Sequence, residues 1–172
     1  GKPTAPAQVC EFVGHTEGVN CVRRKNADIL MSAGSDGFVR VWDETTCKNV
    51  SSFELSHNWI WGLEKWDENV FLCGGVGVEL IAFDSRSGKV SHRMRYPAEI
   101  SGLSVSKSYG LASTCCFDGS VRIHDLRQAQ IPLLTRVAAA EERLTRCCMT
   151  NDRVVAGSFD GSVKIIDFVE KV

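Results

Sequence analysis

The residues of this chain with the widest chemical reach are its eight cysteines, four histidines and fifteen glycines. Cysteine and histidine together could hold zinc, but only in closely spaced, matching sets. No C-x-x-C spacing occurs, and no cysteine–histidine cluster has zinc-finger geometry. Cys21, Cys73, Cys147 and Cys148 lie in apolar, strand-like runs, as does the Cys115–Cys116 pair. That placement predicts reduced thiols, buried as small hydrophobes in a cytoplasmic or nuclear protein, and not a disulfide framework. Glycines could instead cradle a phosphate. Gly74-Gly75-Val76-Gly77 is the densest run, but it has neither the lysine of a P-loop nor the spacing of a dinucleotide fingerprint, and it reads as a turn. G-x-S-x-G and H-E-x-x-H are also missing. The expectation is a chain that is not an enzyme and that uses no metal and no cofactor.

What must position any functional residue is a set of short strands. Four apolar runs each end in aspartate: Phe38 to Asp43, Glu79 to Asp84, Ser120 to Asp125 and Ser162 to Asp167. The final aspartates stand 41, 41 and 42 residues apart, the period of a repeat architecture. Asp36-Gly37, Asp118-Gly119 and Asp160-Gly161 precede three of these runs. Asp-Gly between two β-rich runs predicts a hairpin with a type I′ turn, positive φ at both central positions. Within each period an inner strand begins near Val19, Ile60, Ile100 and Leu144. A second strand covers 29–33, 70–74, 111–115 and 154–157. The aspartate-ended run is the third, and a less regular outer strand follows at 49–55, 90–96 and 131–137. The third strand carries Val39 and Val41 on one face and Trp42 on the other, which suits a sheet covered on both sides. The predicted fold is all-β: four blades of four antiparallel strands, each about forty residues long.

The totals fit one compact unit or part of a larger one. A net charge of −1 over 172 residues gives no bulk attraction for nucleic acid. The longest uncharged stretches, such as 69–78, have ten residues, about half of a membrane-spanning helix. No basic start leads into an apolar run, so no signal peptide is expected. The first residue is Gly1 and not Met, which suggests a piece of something longer. Asn49-Val50-Ser51 matches a glycosylation acceptor that a reducing compartment would leave unused.

These residues resemble the WD-repeat family of β-propellers over nearly the whole chain, from about Val9 to Phe168. The first repeat is nearest the pattern, with Gly14-His15, Ser32, Ser35-Asp36-Gly37 and Trp42-Asp43. The resemblance implies that His15, Ser32, Asp36 and Trp42 form a hydrogen-bonded chain. Imidazole between hydroxyl and carboxylate also has the composition of a catalytic triad. In this family, however, the set is a structural clamp inside one blade. The second repeat has Phe83 for the tryptophan and Gly75-Val76-Gly77 for the turn, and His57 sits one residue closer to its inner strand. The third keeps Thr114 and Asp118 but has His124 in the tryptophan position; the fourth keeps Asp160 but has Ala156 and Ile166. Blade one alone should carry the complete network, with the others relying on apolar packing.

The family's phasing implies an N-terminal tail at 1–7 and blades at about 8–48, 49–89, 90–130 and 131–170, a leading strand at 8–12 completing the last blade. Family rings are usually larger than four blades. A piece of a longer chain, two chains joined head to tail in an eight-bladed ring, and a self-closed four-bladed ring are the alternatives.

The resemblance also implies three positions per blade at the top surface, around the central channel. They are Gly18, Asn20 and Ser35; Trp59, Trp61 and Val76; Glu99, Ser101 and Phe117; Arg143, Thr145 and Phe159. Large aromatics in such slots suit a binding hot spot. The expectation is a groove lined by Trp59, Trp61, Phe117 and Phe159, with Asn20 beside it and Glu99 and Arg143 orienting a peptide's polar groups. The alternative is that the aromatics plug the channel or pack between blades. The implied function is a protein-interaction scaffold or adaptor that binds a protein or peptide on its top surface, with substrate recognition one possible role. A purely structural subunit of a larger complex, held by its blade rims, is the other reading. Neither a nucleic acid nor a membrane is an expected partner.

Overall fold

The computed structural model describes residues 10–128, 130–150 and 152–168. It contains strands and turns and, among the described residues, no helix. The first sheet holds β1 (Val19–Arg24), β2 (Ile29–Gly34), β3 (Phe38–Asp43) and β4 (Lys48–Glu54). The second holds β5 (Ile60–Lys65), β6 (Val70–Gly75), β7 (Glu79–Asp84) and β8 (Val90–Arg95). The third holds β9 (Ile100–Ser106), β10 (Leu111–Cys116), β11 (Ser120–Asp125) and β12 (Leu133–Ala138). In the fourth, β13 (Leu144–Met149), β14 (Arg153–Ser158) and β15 (Val163–Asp167) are the described strands. Every sheet is an antiparallel meander in sequence order, and each strand falls on a predicted run.

Period-2 alternation explains why these sheets stack. In β6, Phe71 and Cys73 face the first sheet, while Leu72 between them faces the third. In β7, Ile81 and Phe83 face back and Leu80 and Ala82 face forward. The third sheet does the same with Ala112 and Cys116 against Leu111 and Cys115. Three apolar layers result, one at each junction between consecutive sheets. Among the described residues no apolar layer joins the fourth sheet to the first. Val163 and Ile165 on one end, and Val19 and Val22 on the other, stay half or more exposed.

The Asp-Gly turns form a different hairpin from the one predicted. In the first sheet Gly37 N–H donates to the Gly34 carbonyl at 3.3 Å, and the same bond recurs from Gly119 to Cys116 and from Gly161 to Ser158. The glycines have φ of 76°, 71° and 82°, while Asp36, Asp118 and Asp160 are not in the positive region. The result is a three-residue loop, a type I turn followed by one left-handed residue. A side chain is also excluded there: a Cβ on Gly37 would stand 2.0 Å from the Ser56 carbonyl oxygen. In the second sheet Val78 occupies the equivalent position with φ of 51°, a costly geometry for a β-branched residue.

Residues 8 and 9 of the expected leading strand lie outside the described residues. Cys10 to Phe12 are not in a strand; Phe12 stacks on Trp42 with ring centroids 5.3 Å apart, on the outer face of the first sheet. Cys10 and Cys47 lie side by side with their sulfurs in contact, which ties this segment to the β3–β4 turn. The expected burial of the other thiols is corrected: Cys73, Cys115 and Cys116 are buried, but Cys21 and Cys147 are partly exposed and Cys148 is exposed. For Cys147 and Cys148 the cause is the alternation of β13, whose residues point in turn toward the third sheet and toward open space.

Candidate protein-binding site at the channel mouth

The four inner strands each begin with a β-bulge at the same place. Val19 pairs with Gly34 and Cys21 with Ala33, so Asn20 is left out of the ladder. Trp61, Ser101 and Thr145 are skipped in the same way. A bulge re-aims the extra side chain, and here it aims four of them toward one axis. Beside each bulge a backbone bond joins the strand entrance to the following turn. Ser35 N–H donates to the Gly18 carbonyl, Val76 to Trp59, Phe117 to Glu99 and Phe159 to Arg143, at 2.8 to 3.0 Å. The three top positions of each blade are thereby brought together by backbone geometry.

The aromatics form a row across three sheets. Trp59 and Trp61 have centroids 6.5 Å apart, Trp61 and Phe117 5.4 Å, and Phe117 and Phe159 6.4 Å in an edge-on contact. Trp59 is 51% exposed and Phe159 64%. Arg143 stacks over Phe117, its guanidinium carbon 5.0 Å from the ring centroid. A cavity of about 340 Å³ at the mouth is lined by Asn20, Trp61, Ser101, Phe117, Thr145, Phe159 and Arg146. Asn20 spends its amide N–H groups on Ser35 Oγ (3.1 Å) and the Ile60 carbonyl (2.9 Å), which makes it a brace between the first two blades. Ser101 Oγ similarly donates to the Leu144 carbonyl at 2.6 Å. Glu99 is half-buried at the rim and does not line the cavity. Arg146, which sequence reasoning did not single out, reaches the carbonyls of Ser101 (2.5 Å) and Trp61 (3.4 Å). Its position one residue past the bulge was the available signal.

The first blade's polar cluster has the implied geometry. His15 Nδ1 lies 2.9 Å from both Asp36 oxygens, and Nε2 lies 2.7 Å from Ser32 Oγ. Trp42 Nε1 donates to the same Ser32 Oγ at 2.7 Å. Burial pushes the Asp36 carboxyl upward, but hydrogen bonds from His15 and from the Phe38 and Thr16 amides outweigh it and hold the group below its ordinary value. Ser32 is itself buried beside the indole, at the wall of a cavity of about 520 Å³ that His15 and Trp42 also line. The cluster ties the loop that carries His15 to β2, to the Asp36 turn and to β3.

A second clasp was not foreseen. Tyr96 Oη bonds Thr114 Oγ1 at 3.1 Å and His124 Nε2 more closely still. Thr114 and His124 occupy the Ser32 and Trp42 positions of their repeat, and Tyr96 is supplied by the end of the preceding outer strand. Burial, with help from the nearby Arg122 charge, pushes His124 down to about 4 against an upward pull from the Ile131 backbone. His124 Nδ1 has no partner of good hydrogen-bond geometry.

Comparison with known proteins agrees with this architecture. The family described as "WD domain, G-beta repeat" matches residues 6–43. The DENN domain and WD repeat-containing protein SCD1 of Arabidopsis thaliana is 30% identical over 49% of this chain. THO complex subunit 6 of Homo sapiens is 35% identical over 36% of it, and THO complex subunit 3 of Arabidopsis thaliana 32% identical over 55%. The chain spans 7%, 21% and 30% of the length of these relatives. Among solved structures, the computationally designed Ika4 protein superposes with a TM-score of 0.84 at 19% identity, covering 96% of this chain and 100% of that one. The WD40 beta propeller domain of Doa1 superposes with a TM-score of 0.83 at 18% identity, covering 91% of this chain and 53% of that one. These likenesses are of fold. Four blades here follow the curvature of about half of the Doa1 chain.

Proposed function

The chain belongs to the WD-repeat family of β-propellers, and from that premise we propose that it is a protein-binding scaffold whose channel mouth captures a peptide or protein segment. The observation that carries this reading is the aromatic row. Trp59, Trp61, Phe117 and Phe159 are aligned across three blades by backbone bulges and turns, with the outer two exposed. Large rigid aromatics that remain wet in the free protein gain by burial against a partner. Glu99 and Arg143 flank the row, and Asn20 closes its far side. The test is capture of partners from an extract of the native source by the wild type and by a Trp59→Ala/Phe159→Ala double variant. Loss of capture with an unchanged melting temperature supports the site. Equal capture by both forms removes the mouth from the binding surface.

A second reading, a structural subunit held by the blade rims, is favoured by the two relatives named as THO complex subunits. It predicts that the double variant still enters its complex. Either role belongs to a nuclear or cytoplasmic protein that is not catalytic.

The arc needs further blades at both ends, because Val163, Ile165, Val19 and Val22 are apolar and open. The remainder of a longer chain or a second copy joined head to tail would supply them. A solution mass about twice the 18.9 kDa of these residues supports the paired ring.

A further inference from the structure

Arginine is used uniformly in this chain, with two exceptions. Ten of its twelve arginines have a carboxylate within 4.0 Å, at both ends of the arc and along every blade. Among the described residues, Arg143 and Arg146 have none. Both are exposed, both stand on the fourth blade, and both meet the same aromatic row.

The two guanidinium groups are held ready and not occupied. Stacking on Phe117 fixes the plane of Arg143 and leaves its N–H edge with no acceptor among the described residues. Arg146 is pinned through Nη1 to the carbonyls of Trp61 and Ser101, which leaves Nε and Nη2 without one. Planar forks with a fixed orientation lose little freedom when they grip a carboxylate or phosphate. Among the described residues the channel supplies no free counter-charge. Glu64, deeper in it, is taken by Arg23 at 2.5 Å, and Glu99 on the rim pairs with neither arginine.

We propose, resting on the mouth being the binding surface, that its occupant is an acidic peptide segment. An anionic side chain, carboxylate or phosphate, lies on the forks of Arg143 and Arg146, and a neighbouring apolar side chain enters the cavity lined by Trp61, Phe117 and Phe159. Two cations are too few to track a nucleic-acid backbone, and the chain's net charge of −1 adds no general attraction. Two cations beside a small apolar cavity match one or two anionic residues next to a leucine or phenylalanine.

The test uses short fluorescein-labelled peptides of the form Gly-Ser-Xaa-Xaa-Leu-Phe-Xaa-Ser-Gly, with Xaa as glutamate, phosphoserine or lysine, and a labelled oligouridylate. Fluorescence anisotropy should show at least one anionic peptide binding about tenfold or more tightly than the lysine peptide, with the preference shrinking as salt rises. The better of the two anionic peptides identifies carboxylate or phosphate as the natural group. Arg143→Gln should remove most of the preference while leaving the melting temperature unchanged, since the side chain is exposed. Arg146→Lys keeps the charge without the fork and should lose part of it. Equal binding of lysine and anionic peptides, still abolished by Trp59→Ala/Phe159→Ala, would overturn the charge reading and spare the docking site. Tightest binding of the oligouridylate, or no peptide binding at all, overturns the proposal. Binding that ignores both sets of substitutions overturns it together with the reading on which it rests.

Discussion

Blade one and blade three solve the same problem with different chemistry. Each needs an acceptor or donor chain between its second and third strands. In the first, Ser32 stands between His15 and Trp42, and the histidine is anchored by a carboxylate. In the third, Tyr96 stands between Thr114 and His124, with no carboxylate in the chain. The hub has moved from the serine position to a residue of the preceding outer strand. Removing the hub therefore damages the first blade, whereas the corresponding hydroxyl of the third is only a side branch. A clasp built on a buried neutral histidine also answers to pH differently from one built on a hydrogen-bonded carboxylate.

The largest effect that separates the two follows from Ser32→Ala. It leaves Trp42 Nε1 and His15 Nε2 buried without partners, and about 4 kcal/mol of stability should go, at roughly 1–3 kcal/mol for each orphaned group. Urea unfolding at neutral pH measures it, and a loss below that of Thr114→Ala would break the comparison.

Next in size is the acid response of the third blade. His124 is depressed to about 4 in the fold and returns to about 6.5 when unfolded. Between these values the unfolded chain holds a proton that the folded one refuses, so stability falls as pH drops from about 6.5 and levels off near 4. The slope is about 1.4 kcal/mol per pH unit, for a total of about 3 kcal/mol. His124→Phe should flatten that window in a pH series of unfolding curves. The Asp36 carboxyl lies below its ordinary value; its contribution is full above the unfolded carboxylate range near 3.8 and is lost only as pH falls through the lowered value. Blade one should thus outlast blade three in mild acid. Hydrogen exchange that opened the first sheet at pH 5 before the third would contradict this.

Smaller effects refine the contrast. Thr114→Ala leaves Tyr96 bonded to His124 and should cost about 1 kcal/mol. Val78→Gly relieves a left-handed valine and should raise stability by about 0.5–1 kcal/mol, visible as a higher melting temperature. An unchanged or lower temperature would mean that the valine side chain's contacts outweigh the backbone relief.

The sequence announced the strands because each blade is buried on both faces, so apolar runs of uniform length recur at a fixed period. The turns were legible in place but not in type. An Asp-Gly pair suits two hairpin geometries, and the Gly34-to-Gly37 bond and the sign of φ at the aspartate distinguish them. The aromatic row was visible through the family's register, because a bulge has no signature of its own. Tyr96 escaped because it acts across a blade boundary, on residues 18 and 28 positions further along. The Cys10–Cys47 contact escaped for a similar reason: it depends on where the leading segment lies, and no periodicity encodes that.

The bulge at the start of each inner strand carries a last consequence. Trp61 stands outside the hydrogen-bonded ladder, so exchanging it demands nothing of strand pairing. Asn20 and Ser101, in the same slot, instead brace the next blade, and Thr145 Oγ1 donates to the Gly157 carbonyl of its own blade at 3.2 Å. One of the four slots can be rewritten while the scaffold keeps its shape, which lets the mouth acquire a new preference without first acquiring a new fold.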